Sequence, residues 1–206
     1  MGTLNRVIDE GMLRFSFDES TKAIKFDESV FYRKRFNSFP GSKGIDILAE
    51  SEEMIQFIEI KDCRGHESEN VWRTSVNNSK IESAPRDLDV ENRNSLDIEV
   101  VKKVTTSIAC LYGAWTESQH TASSIELAGF WENLSSAKIP KDKKKLWVIL
   151  FLEGNFGVNC PASRTKPMIM KRLRESIEKK LEWLNCQVLV VDSNTYKGKF
   201  FKVEGI

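Results

Sequence analysis

Two short apolar stretches carry side chains whose chemistry is complementary. Asp46 lies in GIDILAE (44–50), and Glu59 and Lys61 lie in MIQFIEIKD (54–62), after a short polar SEE turn. Both stretches have the composition of strands, and the short connection predicts that they pair antiparallel. Because side chains alternate along a strand, we expect Glu59 and Lys61 to share one face and Asp62 to point to the other.

Antiparallel pairing of these two strands would place the Asp46 carboxylate beside Glu59. Two carboxylates at one point repel each other unless a cation lies between them. Mg²⁺ suits such a site, because it takes one or two carboxylates and keeps water and phosphate oxygens as its other ligands. A neighbouring lysine, here Lys61, could orient or deprotonate a metal-bound water and stabilise charge on a phosphate. The three residues are therefore suited to phosphodiester hydrolysis, whereas the alternative is a strand with an ordinary charged, solvated face.

The surrounding patterns predict an α/β fold with a mixed sheet covered by helices. Alternation in the first strand places Ile45 and Ile47 on one face and Asp46 and Leu48 on the other. A helix begins near Ser95 and carries an apolar stripe at Ile98, Val101, Val104, Ile108 and Leu111. The other predicted elements are a hairpin over 12–27, a short helix over 27–37, a polar irregular segment over 64–94, helices over 124–136 and 166–185, and strands over 143–154, 186–193 and 199–206.

The bulk composition is that of a globular chain of 206 residues, with 40% hydrophobic and 30% charged residues. No apolar run approaches the roughly 18 residues of a membrane span, and the N-terminal residues lack a secretory pattern. The four cysteines form no CxxC pair, so we expect a reducing cytoplasm and no zinc site. Residues 1–100 hold 14 Lys+Arg and 20 Asp+Glu, whereas residues 101–206 hold 17 and 10. This asymmetry indicates either a polyanionic partner or solvated helix faces.

The GIDI and IEIKD segments together resemble the D-x(n)-E-x-K signature of the PD-(D/E)XK nuclease superfamily. The resemblance implies a restriction-endonuclease-like fold, with Asp46 and Glu59 as metal ligands and Lys61 as the catalytic lysine. It also implies Mg²⁺, or Mn²⁺, as cofactor and a nucleic-acid substrate, DNA rather than RNA, for a cytoplasmic, bacterial enzyme. Many members add an acidic residue from the first helix, for which Glu28 is the first choice and Asp27 the second. No proline precedes Asp46, which departs from the pattern.

The resemblance covers residues 12–154, and we expect one domain over 1–206 in which 155–206 extends the same sheet. Five polar residues near the strand end or on the following helix are expected to contact nucleic-acid phosphates: Arg64, His66, Asn70, Lys102 and Lys103. The exposed basic stretches 33–35, 141–145 and 164–174 could do the same, and Trp72 in the polar segment could stack on a base. The competing hypothesis is an inactive binding protein on the same fold, such as an inhibitor, immunity or assembly partner. A homodimer is left open.

Overall fold

The computed structural model describes residues 6–77, 94–118, 120, 122–135, 145–156 and 165–206. In these ranges the strands are β1 (Arg6–Glu10), β2 (Leu13–Phe17), β3 (Lys22–Lys25), β4 (Ile47–Glu50), β5 (Met54–Asp62), β6 (Lys145–Glu153), β7 (Gln187–Val191) and β8 (Lys202–Gly205). The α-helices are α1 (Glu67–Asn70), α2 (Leu96–Glu117), α3 (Ile125–Ser135) and α4 (Lys166–Lys180). A π-helical turn covers Tyr32–Phe36, and short 3-10 turns cover Val71–Thr74, Ala122–Ser124 and Glu182–Leu184. None of the described helices is long and apolar enough to cross a membrane.

A mixed five-stranded sheet forms the centre of the molecule, in the order β3-β4-β5-β6-β7. Strands β3, β4 and β5 pair antiparallel, and β5, β6 and β7 pair parallel. The pairing of β4 with β5 confirms the predicted hairpin, with Ile47 opposite Ile58. The α/β class and the mixed sheet are likewise confirmed.

The two faces of this sheet bury separate cores. Ile55 and Phe57 of β5 pack in one core with residues of α2, α3 and α4. Ile58 and Ile60 pack in the other core, beneath a second, antiparallel sheet with the order β1-β2-β8. Alternate residues of β5 therefore face either helices or the second sheet, so Glu59 and Lys61 must face the helices.

The predicted hairpin over 12–27 is wrong, because its two strands lie in different sheets. Strand β2 pairs with β1 and β8, whereas β3 pairs with β4. The actual hairpin joins β1 to β2 through Gly11, whose φ of +58° suits a tight turn. Alternating residues identify a strand but not its partner, and this explains the error. The predicted edge strand β8 lies at the edge of the smaller sheet, while β7 joins the larger one.

The buried side of α2 is rotated from the predicted stripe. Val104 and Leu111 are fully buried as expected, but Ile98 and Val101 are only half-buried. Asp97 and Glu99 are buried instead. A pattern that counts only apolar residues cannot identify a helix face that includes buried carboxylates.

We expect Gly44→Ala to lower the free energy of unfolding by about 1–3 kcal/mol. A Cβ at Gly44 would lie 2.8 Å from Cδ1 of Phe26 and 3.1 Å from Cε2 of Tyr32, and both rings are buried. The Gly44 amide also donates to the Tyr32 hydroxyl at 2.8 Å, which fixes the segment leading to Asp46. Urea denaturation measures the change. Gly205→Ala, which meets nothing within 4 Å, is the control, and equal effects of the two substitutions would contradict the expectation.

Candidate functional site

The chain bends at Asp46, immediately before β4. Ile45 packs in the helix-side core, whereas Ile47 packs beneath the second sheet, so the expectation that they share a face is wrong. The bend turns the Asp46 carboxylate across the hairpin, where Oδ2 accepts a hydrogen bond from the Ile60 backbone amide at 2.7 Å. The segment is also fastened to α2, because the Ile45 amide donates to the Ser107 hydroxyl at 3.0 Å. Asp46 is thus held from two directions.

Strand β5 presents Glu59 and Lys61 together on its helix-side face, as predicted. Lys61 Nζ lies 2.7 Å from Glu59 Oε1. Asp62 points to the other side of the strand and pairs with Arg64, with a distance of 2.8 Å between Arg64 Nε and Asp62 Oδ1.

Helix α2 supplies two further charged side chains, Glu99 and Lys103, which are four residues apart and therefore share a helix face. Lys103 Nζ lies 3.1 Å from Asp46 Oδ1 and 2.7 Å from Glu59 Oε1. Glu99 Oε1 lies 3.2 Å from Lys61 Nζ, and its other oxygen pairs with Arg73 of the 3-10 turn. One lysine therefore bridges the two predicted metal ligands.

These contacts define a charge cluster in which carboxylates and cations alternate: Asp46, Lys103, Glu59, Lys61, Glu99 and Arg73. Burial is the largest influence on Glu59, which is 1% exposed, and it raises the pKa of Glu59 to about 7 against the opposing effect of Lys61. Burial opposes the charged form of Lys61, but the Glu59 and Glu99 carboxylates outweigh it and raise the pKa of Lys61. Burial likewise opposes ionisation of Glu99, yet Lys61 and Arg73 lower the pKa of Glu99 to about 2.

The donor set fits a divalent cation held by two carboxylates. Glu59 Oε2 is buried and has no hydrogen-bond partner in the described part of the chain, and the ion pairs of Oε1 lack hydrogen-bond geometry. Asp46 contributes a second carboxylate, whose Oδ1 pairs with the same Lys103 ammonium. Within the described ranges no group of three or more His, Cys, Asp or Glu side chains is gathered for a metal. The geometry therefore suits Mg²⁺ or Mn²⁺ with mostly water and phosphate ligands, and not a closed protein cage.

Asp27, and not Glu28, is the acidic neighbour of Asp46. Glu28 is exposed, pairs with Lys25 at 2.9 Å and is not part of the charge cluster. Asp27 has a buried oxygen, Oδ1, without a hydrogen-bond partner in the described chain. Its pKa is raised first by burial and then by the negative charge of Asp46. Asp27 is thus a further carboxylate near Asp46, in addition to the three of the charge cluster.

The predicted phosphate-contacting residues are dispersed. Lys103 belongs to the charge cluster, whereas Lys102 is exposed beside it. Arg64 is held by Asp62 on the opposite side of β5, and the exposed His66 lies 3.5 Å from Glu69. Asn70 borders the cluster, because its side-chain oxygen accepts a hydrogen bond from Arg73 at 3.1 Å.

Two other predictions concern the surface. Trp72 is buried, with 6% of its surface exposed, and is not a surface platform for stacking on a base. Residues 33–35 are exposed, as expected for a basic surface. Residues 141–144 and 164 lie outside the described residues.

Sequence reasoning missed Glu99 and Arg73. Charged residues on a helix usually face solvent, so Glu99 attracted no prediction, and Arg73 lies in the segment that was predicted to be irregular. A signal was nevertheless present, since Glu99 and Lys103 have the i, i+4 spacing that places an acid and a base on one helix face.

Asp97 holds α2 against α4 and thereby fixes the position of Glu99 and Lys103. Its carboxylate is buried and accepts hydrogen bonds from Lys180 at 2.7 Å and from Ser176 at 2.7 Å. We expect Asp97→Ala to lower the free energy of unfolding by about 2 kcal/mol, because hydrogen bonds to a charged group are lost. Urea denaturation measures the change, with Glu178→Ala, a half-exposed acid on α4, as the control. Similar stability of the two variants would contradict this role of Asp97.

Comparison with known proteins identifies a family but not an activity. No curated protein matches the chain, and no solved structure matches it. The model of a family of unknown function, DUF6661, matches residues 29–205, a range that contains all six residues of the charge cluster. The chain therefore belongs to the DUF6661 family.

Proposed function

We propose that this protein is a metal-dependent phosphodiester hydrolase that acts on nucleic acid, DNA in preference to RNA. The proposal rests on Glu59, a fully buried carboxylate that has no hydrogen-bond partner among the described residues and that shares the Lys103 ammonium with Asp46. A structural ion pair gains little from burying a carboxylate that is incompletely satisfied. A metal ligand, in contrast, needs a carboxylate oxygen whose lone pairs are not already used in hydrogen bonds.

The residues of the site would have separate roles in binding the metal and in stabilising the phosphate. Asp46 and Glu59 would hold Mg²⁺ or Mn²⁺, with Asp27 as the third acidic neighbour. When bound, the ion supplies a Lewis acid and lowers the pKa of a water ligand. Lys61 keeps its proton, because the carboxylates around it raise its pKa. The protonated ammonium would stabilise negative charge on the phosphate or orient the attacking water.

A restriction-endonuclease-like architecture is part of this proposal. The antiparallel strands β3, β4 and β5 are followed by a long helix and the parallel strand β6, and the acidic residues lie where β4 and β5 pair. This order supports the resemblance found in the motif. Cytoplasmic location and the contribution of Lys102, Arg64, His66 and Asn70 to substrate binding remain predictions.

A second candidate function is a binding protein without catalysis. The charge cluster favours it in one respect, because three carboxylates and three cations neutralise one another without a metal. Such a network could serve only to fix α2 on β5. The two functions differ in their requirement for a divalent ion.

The distinguishing experiment is a cleavage assay with the purified full chain and single- and double-stranded DNA and RNA. We expect cleavage with Mg²⁺ or Mn²⁺, loss of cleavage with EDTA, and recovery when the metal is returned in excess. A Lys61→Met preparation purified in parallel reveals contaminating nucleases. Absence of cleavage of all four substrates, with either metal, would contradict the proposal and favour the binding protein.

A further inference from the structure

The ammonium of Lys103 pairs with both carboxylates that the proposed function assigns to the metal. It lies within ion-pair distance of both Asp46, at 3.1 Å, and Glu59, at 2.7 Å. Its side chain is 12% exposed, so it is packed into the site. Lys103 pairs with both carboxylates, whereas Lys61 pairs with Glu59 and Glu99, so a divalent ion held by Asp46 and Glu59 would repel the Lys103 ammonium more strongly than that of Lys61.

We propose that Lys103 is an internal counter-ion which a divalent metal must displace, and that the metal therefore binds together with the phosphodiester substrate. This inference rests on the proposed function and deepens it. It assigns to Lys103 a regulatory role at the metal site that a simple phosphate contact would not have.

The charge balance of the cluster explains why binding of the metal would depend on binding of the substrate. With Lys103 in place, the carboxylates and cations of the cluster are equal in number. Among the six residues of the cluster, a divalent ion in place of Lys103 would leave one excess positive charge in a largely buried site, which is unfavourable. A phosphodiester brings compensating negative charge. The displaced Lys103 ammonium has a long flexible stem and can then pair with that phosphate.

The Lys103 ammonium does not satisfy the hydrogen-bonding capacity of the Glu59 carboxylate. Glu59 Oε2 has no hydrogen-bond partner in the described chain even though Lys103 and Lys61 both approach Oε1. An ion with several coordination positions could engage the carboxylate more completely than a lysine does. The Lys103 ammonium therefore neutralises the carboxylates without a metal, and a divalent ion can replace it.

Mn²⁺ binding, measured by isothermal titration calorimetry without nucleic acid, tests the inference. We expect Lys103→Met to bind Mn²⁺ about 10- to 100-fold more tightly than the wild type, because the competing charge is removed. Lys102→Met is the matched control, since Lys102 is the exposed neighbour on the same helix, and its affinity should equal that of the wild type. A short phosphorothioate DNA duplex should tighten Mn²⁺ binding by the wild type more than by Lys103→Met. Lys103→Gln provides a second variant if the methionine protein does not fold.

The outcomes separate this inference from the proposed function. Equal Mn²⁺ affinity in the wild type and Lys103→Met, with loss of binding in Glu59→Gln, would overturn the displacement of Lys103 and leave the metal site intact. Absence of Mn²⁺ binding in all folded variants, with and without DNA, would overturn both.

Discussion

Replacing Glu59 with glutamine is expected to lower metal-dependent cleavage at least about 1000-fold while the protein stays folded. Glutamine keeps the volume of the side chain but removes the charge that the metal requires. The fold should survive, because each lysine next to Glu59 keeps a second carboxylate: Lys61 pairs with Glu99, and Lys103 pairs with Asp46. Initial cleavage rates at saturating Mn²⁺, with circular dichroism spectra of both proteins, measure the effect.

Asp62→Asn is the matched control for this experiment. Asp62 lies three residues further along β5, carries the same charge, and faces the opposite side, where it pairs with Arg64. We expect its cleavage rate to stay within a few-fold of the wild type. Equal losses in both variants would mean that charge on β5 in general, and not the helix-side face, supports activity.

Glu99→Ala is expected to lower the free energy of unfolding by about 3–5 kcal/mol. Arg73 would remain in a site where its side chain is 9% exposed, and its other polar partners among the described residues are the Asn70 side chain and the Asn94 carbonyl. A buried guanidinium without its carboxylate is costly because it cannot recover its hydration. Chemical denaturation at neutral pH measures the loss.

A double-mutant cycle separates the ion pair from general packing. Arg73→Met combined with Glu99→Gln should be less destabilised than the sum of the two single variants, because neither charge is then left alone. Additive single effects would contradict the pairing of these residues.

Lowering the pH is expected to remove the contribution of Glu99 to the free energy of unfolding. The pKa of Glu99 is lowered from 4.5 to about 2 in the folded protein, so the unfolded state binds the proton more readily. The stability that Glu99 provides is therefore fully present above pH 4.5 and is lost as the pH falls towards 2. The difference in unfolding free energy between the wild type and Glu99→Gln should shrink across this interval. A difference independent of pH would show that Glu99 acts through packing and not charge.

The sequence was sufficient to predict the pairing of β4 with β5 and the two faces of β5. Period-two alternation alone placed Glu59 and Lys61 on one face and Asp62 on the other, and the short SEE turn identified the pairing. The face of Ile45 was predicted wrongly because a bend at Asp46 interrupts the alternation. Such a bend depends on contacts with α2 that are remote in sequence, including the hydrogen bond from Ile45 to Ser107.

The partners of the site were harder to predict than its centre. Glu99 and Arg73 are polar residues whose burial results from tertiary packing, which no local pattern records. Glu28 and Asp27 are adjacent, so the sequence could not decide which of the two faces Asp46. The choice follows from the ion pair between Glu28 and Lys25, which leaves Asp27 on the buried side.

The most direct test of the metal site is a crystal structure of the protein with Mn²⁺ and a phosphorothioate DNA duplex. We predict an anomalous density peak between the Asp46 and Glu59 carboxylates, with Lys103 moved away from both and directed at a phosphate oxygen. Well-ordered carboxylates that still hold the Lys103 ammonium, with no anomalous peak between them at saturating Mn²⁺, would contradict the account.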